Sequence, residues 1–154
     1  MREIFIREDD LQGPKIAKIL SDHLAFNASQ SPPESMHSLN LDELRAPGTT
    51  FWTVWEGPAL LGCGALTALD PRHGEVKSMH TVQAHRGKGI ATFTLRHIID
   101  EARQRSYRRL SLETGSMEAF APARDLYCRF GFEICGPFAS YIEDPYSVYM
   151  TRQL

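Results

Sequence analysis

The sequence predicts an α/β fold in a single domain, residues 1–154, with a mixed and mostly antiparallel central sheet flanked by helices. Three observations predict it. Short apolar runs separated by tight turns fill residues 51–82, a glycine-containing turn then leads into an amphipathic helix, and a strand, a helix and two late strands follow.

Ile4 to Arg7 reads as an opening strand, and Ile16, Ile19, Leu20, His23 and Leu24 recur behind it at helical spacing. Asn27 to Gly48 breaks that rhythm. It carries Ser29-Gln30-Ser31-Pro32-Pro33 and a short helix-like piece, Leu41 to Arg45, and is expected to be a long functional loop walling off a substrate site. Phe51 to Trp55 and Leu60 to Leu66 should pair as a hairpin across Glu56-Gly57-Pro58-Ala59. Asp70-Pro71-Arg72-His73-Gly74 supplies the next turn, before a strand from Glu75 to Val82.

From Lys88 to Ser106 the apolar positions 91, 95, 98, 99 and 102 define one helical face that should cover the sheet. Arg109 to Thr114 is the next strand. Ala119, Ala123, Leu126, Tyr127 and Phe130 then mark a second helix, with Pro122 in its first turn and Gly131 closing it. Phe132 to Cys135 and Ser147 to Thr151 complete the sheet.

Composition bounds the function. The chain has 42% hydrophobic and 23% charged residues, as an ordinary soluble globular protein does. Its 17 basic against 19 acidic residues give a net charge of −2, which argues against nucleic acid or an anionic membrane as partner. Arg103, Arg105, Arg108 and Arg109 suit a solvated helix end. Met1 to Ile6 does not read as a secretory signal and no apolar run reaches membrane-spanning length, so a cytoplasmic location is expected. Cys63, Cys128 and Cys135 lack metal-ligand spacing and are expected to be reduced core thiols, with no metal site.

The richest stretch is Arg86-Gly87-Lys88-Gly89-Ile90-Ala91, between the predicted strand and the helix. Two glycines let the backbone turn tightly and bring several N–H groups to one anion, and the helix adds its positive end. A Walker loop would need Ser or Thr after Gly-Lys, and Lys88 is followed by Gly89. A dinucleotide fingerprint would need a third glycine, which is absent.

The hexapeptide fits Q/R-x-x-G-x-G/A and here the chain resembles the GNAT superfamily of acyl-CoA-dependent N-acetyltransferases. A second block, Ala123-x-x-Leu126-Tyr127-x-x-Phe130-Gly131-Phe132, is similar to the A-x-x-L-Y-x-x-x-G-F of many members. The family often carries Asn three residues before that Ala, and this chain has Phe120 there. The resemblance spans nearly the whole chain. It implies a GNAT-like fold, acetyl-CoA as donor with CoA as product, and a pyrophosphate held by Arg86, Gly87, Lys88, Gly89, Ile90 and Ala91. It also implies a strand that splays from its later neighbour, so that Met79 and Thr81 pair with the pantetheine arm.

The resemblance further suggests chemistry for each step. The N–H of Met79 would stabilise the thioester oxyanion, and the phenol of Tyr127 would assist the departing thiolate. Cys128, about 100° round the helix, is a poor acyl carrier, so direct transfer is simpler. An acceptor ammonium must lose a proton: Glu75 is the first choice as base, Glu113 the second, and a water relay the third. Strand alternation places Glu75, Lys77, Met79 and Thr81 on one face and His80 on the other.

The expected activity is transfer of an acetyl group to a primary amine, preferably of a small molecule. Met36, His37, Asn40, Trp52 and Trp55 are candidates for the acceptor pocket. A non-catalytic acyl-CoA sensor and a protein-amine acetyltransferase stay open as alternatives, as does a homodimer.

Overall fold

The computed structural model describes residues 3–32 and 41–154. Met36, His37 and Asn40 lie outside the described residues. The chain runs β1 (Ile4–Glu8), α1 (Pro14–Gln30), α2 (Leu41–Leu44), β2 (Thr49–Glu56), β3 (Ala59–Asp70), β4 (His73–Thr81), α3 (Ile90–Gln104), β5 (Arg109–Gly115), α4 (Ala121–Arg129), β6 (Glu133–Cys135) and β7 (Ser147–Gln153). One seven-stranded sheet has the order β1-β2-β3-β4-β5-β7-β6, and only the β4/β5 pair is parallel. No described helix is long and apolar enough to cross a membrane.

Local sequence accounts for most boundaries. Pro14 sits in the first turn of α1, where its missing N–H costs nothing, and Ile16, Ile19 and Leu20 bury one stripe. That helix runs through Gln30, so Asn27 to Gln30 belong to it rather than to a loop. The cause is local: Gln30 is a good helix former and Ser29 carries only a small penalty, and the helix stops just before Pro32, whose ring disfavours the α region for Ser31. In α3, Ile90, Thr94, Leu95, Ile98, Ile99 and Ala102 are buried. Pro122 again lies in a first turn, and Gly131 takes φ +85° just beyond α4.

The two faces of the sheet hold two cores. Under α3 and α4, Trp52, Leu66, Val76, Leu110, Leu112 and Met150 pack with Leu95, Ile98 and Leu126. Under α1, Phe51, Trp55, Cys63 and Ala65 pack with Ile16, Ile19 and Leu20. Each such aliphatic side chain contributes roughly 1.5–3 kcal/mol on full burial. Trp52 and Trp55 are therefore core residues, 2% and 7% exposed, and neither lines the cavity described below. Of the three thiols only Cys63 is buried; Cys128 is exposed and Cys135 half-buried, so the expected trio of core thiols reduces to one.

β4 does not keep simple alternation. Its register on β3 steps from Ala65↔Lys77 to Cys63↔His80, which sets Ser78 and Met79 against Gly64 alone, and Ser78 takes φ +56°. This is a bulge. Residues opposite one another share a face, so Lys77 and His80 go with Ala65 and Cys63 toward α1. Met79 turns to the α3 side, where its sulfur and Ile98 fill the space a Cβ on Gly64 would take. The expected common face of Glu75, Lys77, Met79 and Thr81 is thus split after Lys77, and His80 joins Glu75 and Lys77 instead of opposing them.

Candidate active site

The parallel β4/β5 pair holds for four rungs, His73↔Arg109 to Val76↔Leu112, and then stops. Beyond it the strands part, and a cavity of about 490 Å³ opens between Lys77, Met79 and Thr81 on one edge and Glu113, Thr114 and Gly115 on the other. Separated strands leave backbone N–H and C=O groups facing the gap, where water or a ligand can pair with them.

At one end the gap meets the glycine turn. Gly87 and Gly89 both take φ +79°, and a Cβ on either would meet nothing within 4 Å. The turn is left-handed and roofless. Gly89 is the N-cap of α3 and supplies no side-chain cap, so the first-turn N–H groups are available to an anion in the space the glycines leave open. Arg86, Gly87, Gly89, Ile90 and Ala91 all line the cavity. Lys88 is not among the lining residues, and its Nζ lies 3.2 Å from His85 Nδ1. The Arg86 guanidinium sits 5.7 Å from the Phe26 ring, a wall residue with no sequence signal.

Tyr127 also lines the cavity, from α4. It is 6% exposed and meets Phe132 edge to face. Burial, reinforced by Glu113, holds its phenol well above the usual range, so the O–H stays protonated. Phe120 packs on Gly115, where a methyl group would collide with its ring, and stands 5.3 Å from Phe26. At the place where the family often has Asn, this chain has an aromatic wall.

The other end of the cavity is polar. Glu75 is 5% exposed; its Oε2 accepts from Lys77 Nζ at 3.1 Å and from the Tyr141 hydroxyl in a short hydrogen bond. Lys77 Nζ also donates to Tyr141 Oη at 2.8 Å. The triad balances its own charge. Glu113 contrasts with it: burial pushes its carboxyl up to about 7, against the pull of Lys77. A carboxyl with that value is half ionised near neutrality, which suits proton removal. Tyr141 had no sequence signal beyond the aromatic residues around it. It lies between β6 and β7, where Phe138, Tyr141 and Tyr149 pack with centroids 5.0–6.0 Å apart.

Toward α1 the cavity is walled by His23, Asn27 and His80. His23 Nδ1 lies 3.1 Å from His80 Nδ1. Both rings are lowered to about 4, in each case chiefly by burial, so both are neutral near pH 7.

A parted parallel pair with a glycine turn at its mouth and titratable side chains at its floor defines an acyltransferase of the GNAT type. The chain belongs to the GNAT acetyltransferase family, whose model, described as Acetyltransferase (GNAT) family, matches residues 15–132. Uncharacterized N-acetyltransferase YsnE of Bacillus subtilis (strain 168) is 56% identical over 149 residues, 97% of this chain and 99% of its own. IAA acetyltransferase of Azospirillum brasilense is 35% identical over 150 residues, 96% and 95% of the two chains. Among solved structures, a candidate acyl-CoA N-acyltransferase from Klebsiella pneumoniae subsp. pneumoniae MGH 78578 superposes with TM-score 0.79 at 26% identity, covering 98% and 97%. A Bacillus subtilis acetyltransferase in complex with CoA gives 0.70 at 15%, covering 99% of each chain. This chain is an N-acetyltransferase, and acetyl-CoA is the acyl donor of its family.

Proposed function

We propose that this protein moves an acetyl group from acetyl-CoA to a primary amine of a small molecule by direct transfer, within one domain and in the cytoplasm. The observation that carries the reading is a single cavity with an open glycine cradle at one end and a carboxyl of pKa about 7 at the other.

Gly87, Gly89 and the first-turn N–H groups of Ile90 and Ala91 hold the pyrophosphate, with Arg86 beside them. The unpaired edge of β4 at Met79 and Thr81 takes the pantetheine amides, and the Met79 N–H faces the thioester oxygen as charge develops on it. Glu113 accepts the ammonium proton. The freed amine attacks the thioester carbon to form a tetrahedral intermediate, the C–S bond breaks, and the nitrogen's second proton ends on the departing thiolate, to which the Tyr127 O–H donates as it leaves. Glu75, engaged by Lys77 and Tyr141, holds those two side chains in place rather than acting as base. Lys88, turned to His85, gives the turn positive charge without touching the donor.

A panel of small amines and lysine-containing peptides, assayed with acetyl-CoA for thiol release, tests the reading. Release with small amines supports it. Release with peptides alone transfers the activity to protein amines, and CoA binding without release under any acceptor replaces the enzyme by a sensor.

A further inference from the structure

On the α1 wall of the cavity, three side chains form a hydrogen-bonded chain that the roles above do not use. Asn27 Nδ2 lies 3.5 Å from His23 Nε2, and His23 Nδ1 lies 3.1 Å from His80 Nδ1, with the two rings edge to face at 77°. All three residues line the cavity.

With the Asn27 amide set so that Nδ2 faces His23, the chain has one self-consistent set of protons. An amide nitrogen only donates, so His23 Nε2 accepts and is bare. A neutral imidazole carries one N–H, which then sits on His23 Nδ1 and is donated to His80 Nδ1. His80 therefore carries its proton on Nε2. Burial keeps both rings neutral, helped by the neighbouring ring for His23 and by Arg86 for His80. His80 is thus a fixed N–H donor rather than an acid or base near pH 7.

We infer that His80 Nε2–H binds an oxygen of the acceptor, carboxylate or carbonyl, carried next to its amine, while Asn27 and His23 are positioning residues that set the His80 tautomer. This rests on the acetyl-transfer reading and narrows its substrate. The cavity floor offers one group that seeks an ammonium, Glu113, and the same face of β4 offers donors at Lys77 and His80. Lys77 and His80 stand opposite Ala65 and Cys63, two residues apart on β3, a spacing of about 7 Å. An amine with an oxygen close by satisfies both kinds of group at once. A plain alkylamine strips water from the His80 N–H and gives nothing back, a loss of roughly tenfold or more in kcat/KM.

The test compares L-phenylalanine, L-phenylalaninamide and 2-phenylethylamine as acceptors. Wild type should prefer one or both oxygen-bearing acceptors over 2-phenylethylamine by about tenfold or more. Preference for both assigns a carbonyl contact, and preference for phenylalanine alone assigns a carboxylate. His80→Phe should erase the preference with KM for acetyl-CoA unchanged, and His80→Gln, which keeps a donor near Nε2, should restore part of it. A rise confined to KM for acetyl-CoA would give His80 to the donor and overturn the inference. Independently of turnover, nitrogen NMR of the histidine rings should show His80 protonated on Nε2, with that tautomer lost in Asn27→Leu. The Nε2 signal should also move when L-phenylalanine or its amide, but not 2-phenylethylamine, is added to the CoA-loaded protein. An Nδ1–H tautomer, or no response to either oxygen-bearing amine, sinks the inference. A response without acetylation of any amine keeps the site and sinks the transferase reading.

Discussion

The two ends of the β4/β5 cleft are built from different material. The end we assign to the donor is backbone: left-handed glycines, an uncapped helix start and strand edges that have lost their partners. The end we assign to the acceptor is side chain, brought from α1, β4, β5 and the segment before β7. The division follows from the ligands. A pyrophosphate has the same shape in every reaction and is matched by N–H groups that any sequence supplies, provided glycine allows the turn. An acceptor varies from enzyme to enzyme, and only side chains can vary with it.

The largest effect is expected at Glu113. Glu113→Gln removes the cavity carboxyl that burial raises to about 7, and turnover should fall by about 10³-fold. Wild-type activity should rise with pH through about 7, and the variant should lose that limb. If the limb survives here and disappears in Glu75→Gln, the base is Glu75; survival in both assigns a water relay. Stability gives a second readout. Because the folded-state pKa lies above the ordinary carboxylate value, the fold favours the neutral form, and stability declines as pH rises from that range through about 7. The permanently neutral Gln escapes this, so the variant's Tm should exceed that of wild type at pH 8 and meet it near pH 4. Parallel Tm curves would show that Glu113 is solvated.

Tyr127→Phe tests the junction of the two ends. It keeps the packing on Phe132 and removes the O–H, so turnover should fall by about 10²-fold with CoA affinity little changed. Near-normal turnover would make Tyr127 a core aromatic only.

At the donor end the effect should be smaller and fall on affinity. Gly89→Val places a side chain in the open space above the turn and forces a β-branched residue to φ +79°, so CoA binding should weaken by about tenfold. Because the φ strain alone can lower stability, circular dichroism must show a folded variant. Gly87→Ala, with a single methyl in the same open space, should show a milder loss of the same kind. Unchanged CoA affinity in both would remove the cradle from the site.

The same contrast decides what could be read from the sequence. The glycine turn was legible because its parts are contiguous: Arg86 to Ala91 is one turn and one helix start. Element order was legible from period and punctuation, down to Pro122 in a first turn. The bulge was not, since Ser78 adopts φ +56° without a Gly or Pro to announce it, and it reversed which side chains share a face with Glu75. His23, Asn27 and Tyr141 were not assigned to the site because their roles exist only through partners 57, 4 and 66 residues away. Trp52 and Trp55 misled because large strand aromatics look alike in sequence whether they face a core or a pocket.

Tyr141 sets the smallest and most discriminating expectation. Its hydroxyl donates to Glu75 and accepts from Lys77, and it anchors the segment after β6 to the sheet. Tyr141→Phe keeps the ring against Phe138 and Tyr149 while leaving a buried ion pair short of one hydrogen bond at each partner. The loss should be about 1–3 kcal/mol of stability, read as a lowered denaturation midpoint at unchanged m-value. If Glu75 and Tyr141 hold structure while Glu113 moves the proton, turnover at saturating acceptor should stay within about threefold of wild type, far from the loss typical of a missing general base. A loss of turnover as deep as that of Glu113→Gln, with stability untouched, would make the triad the chemical centre and Glu113 its support.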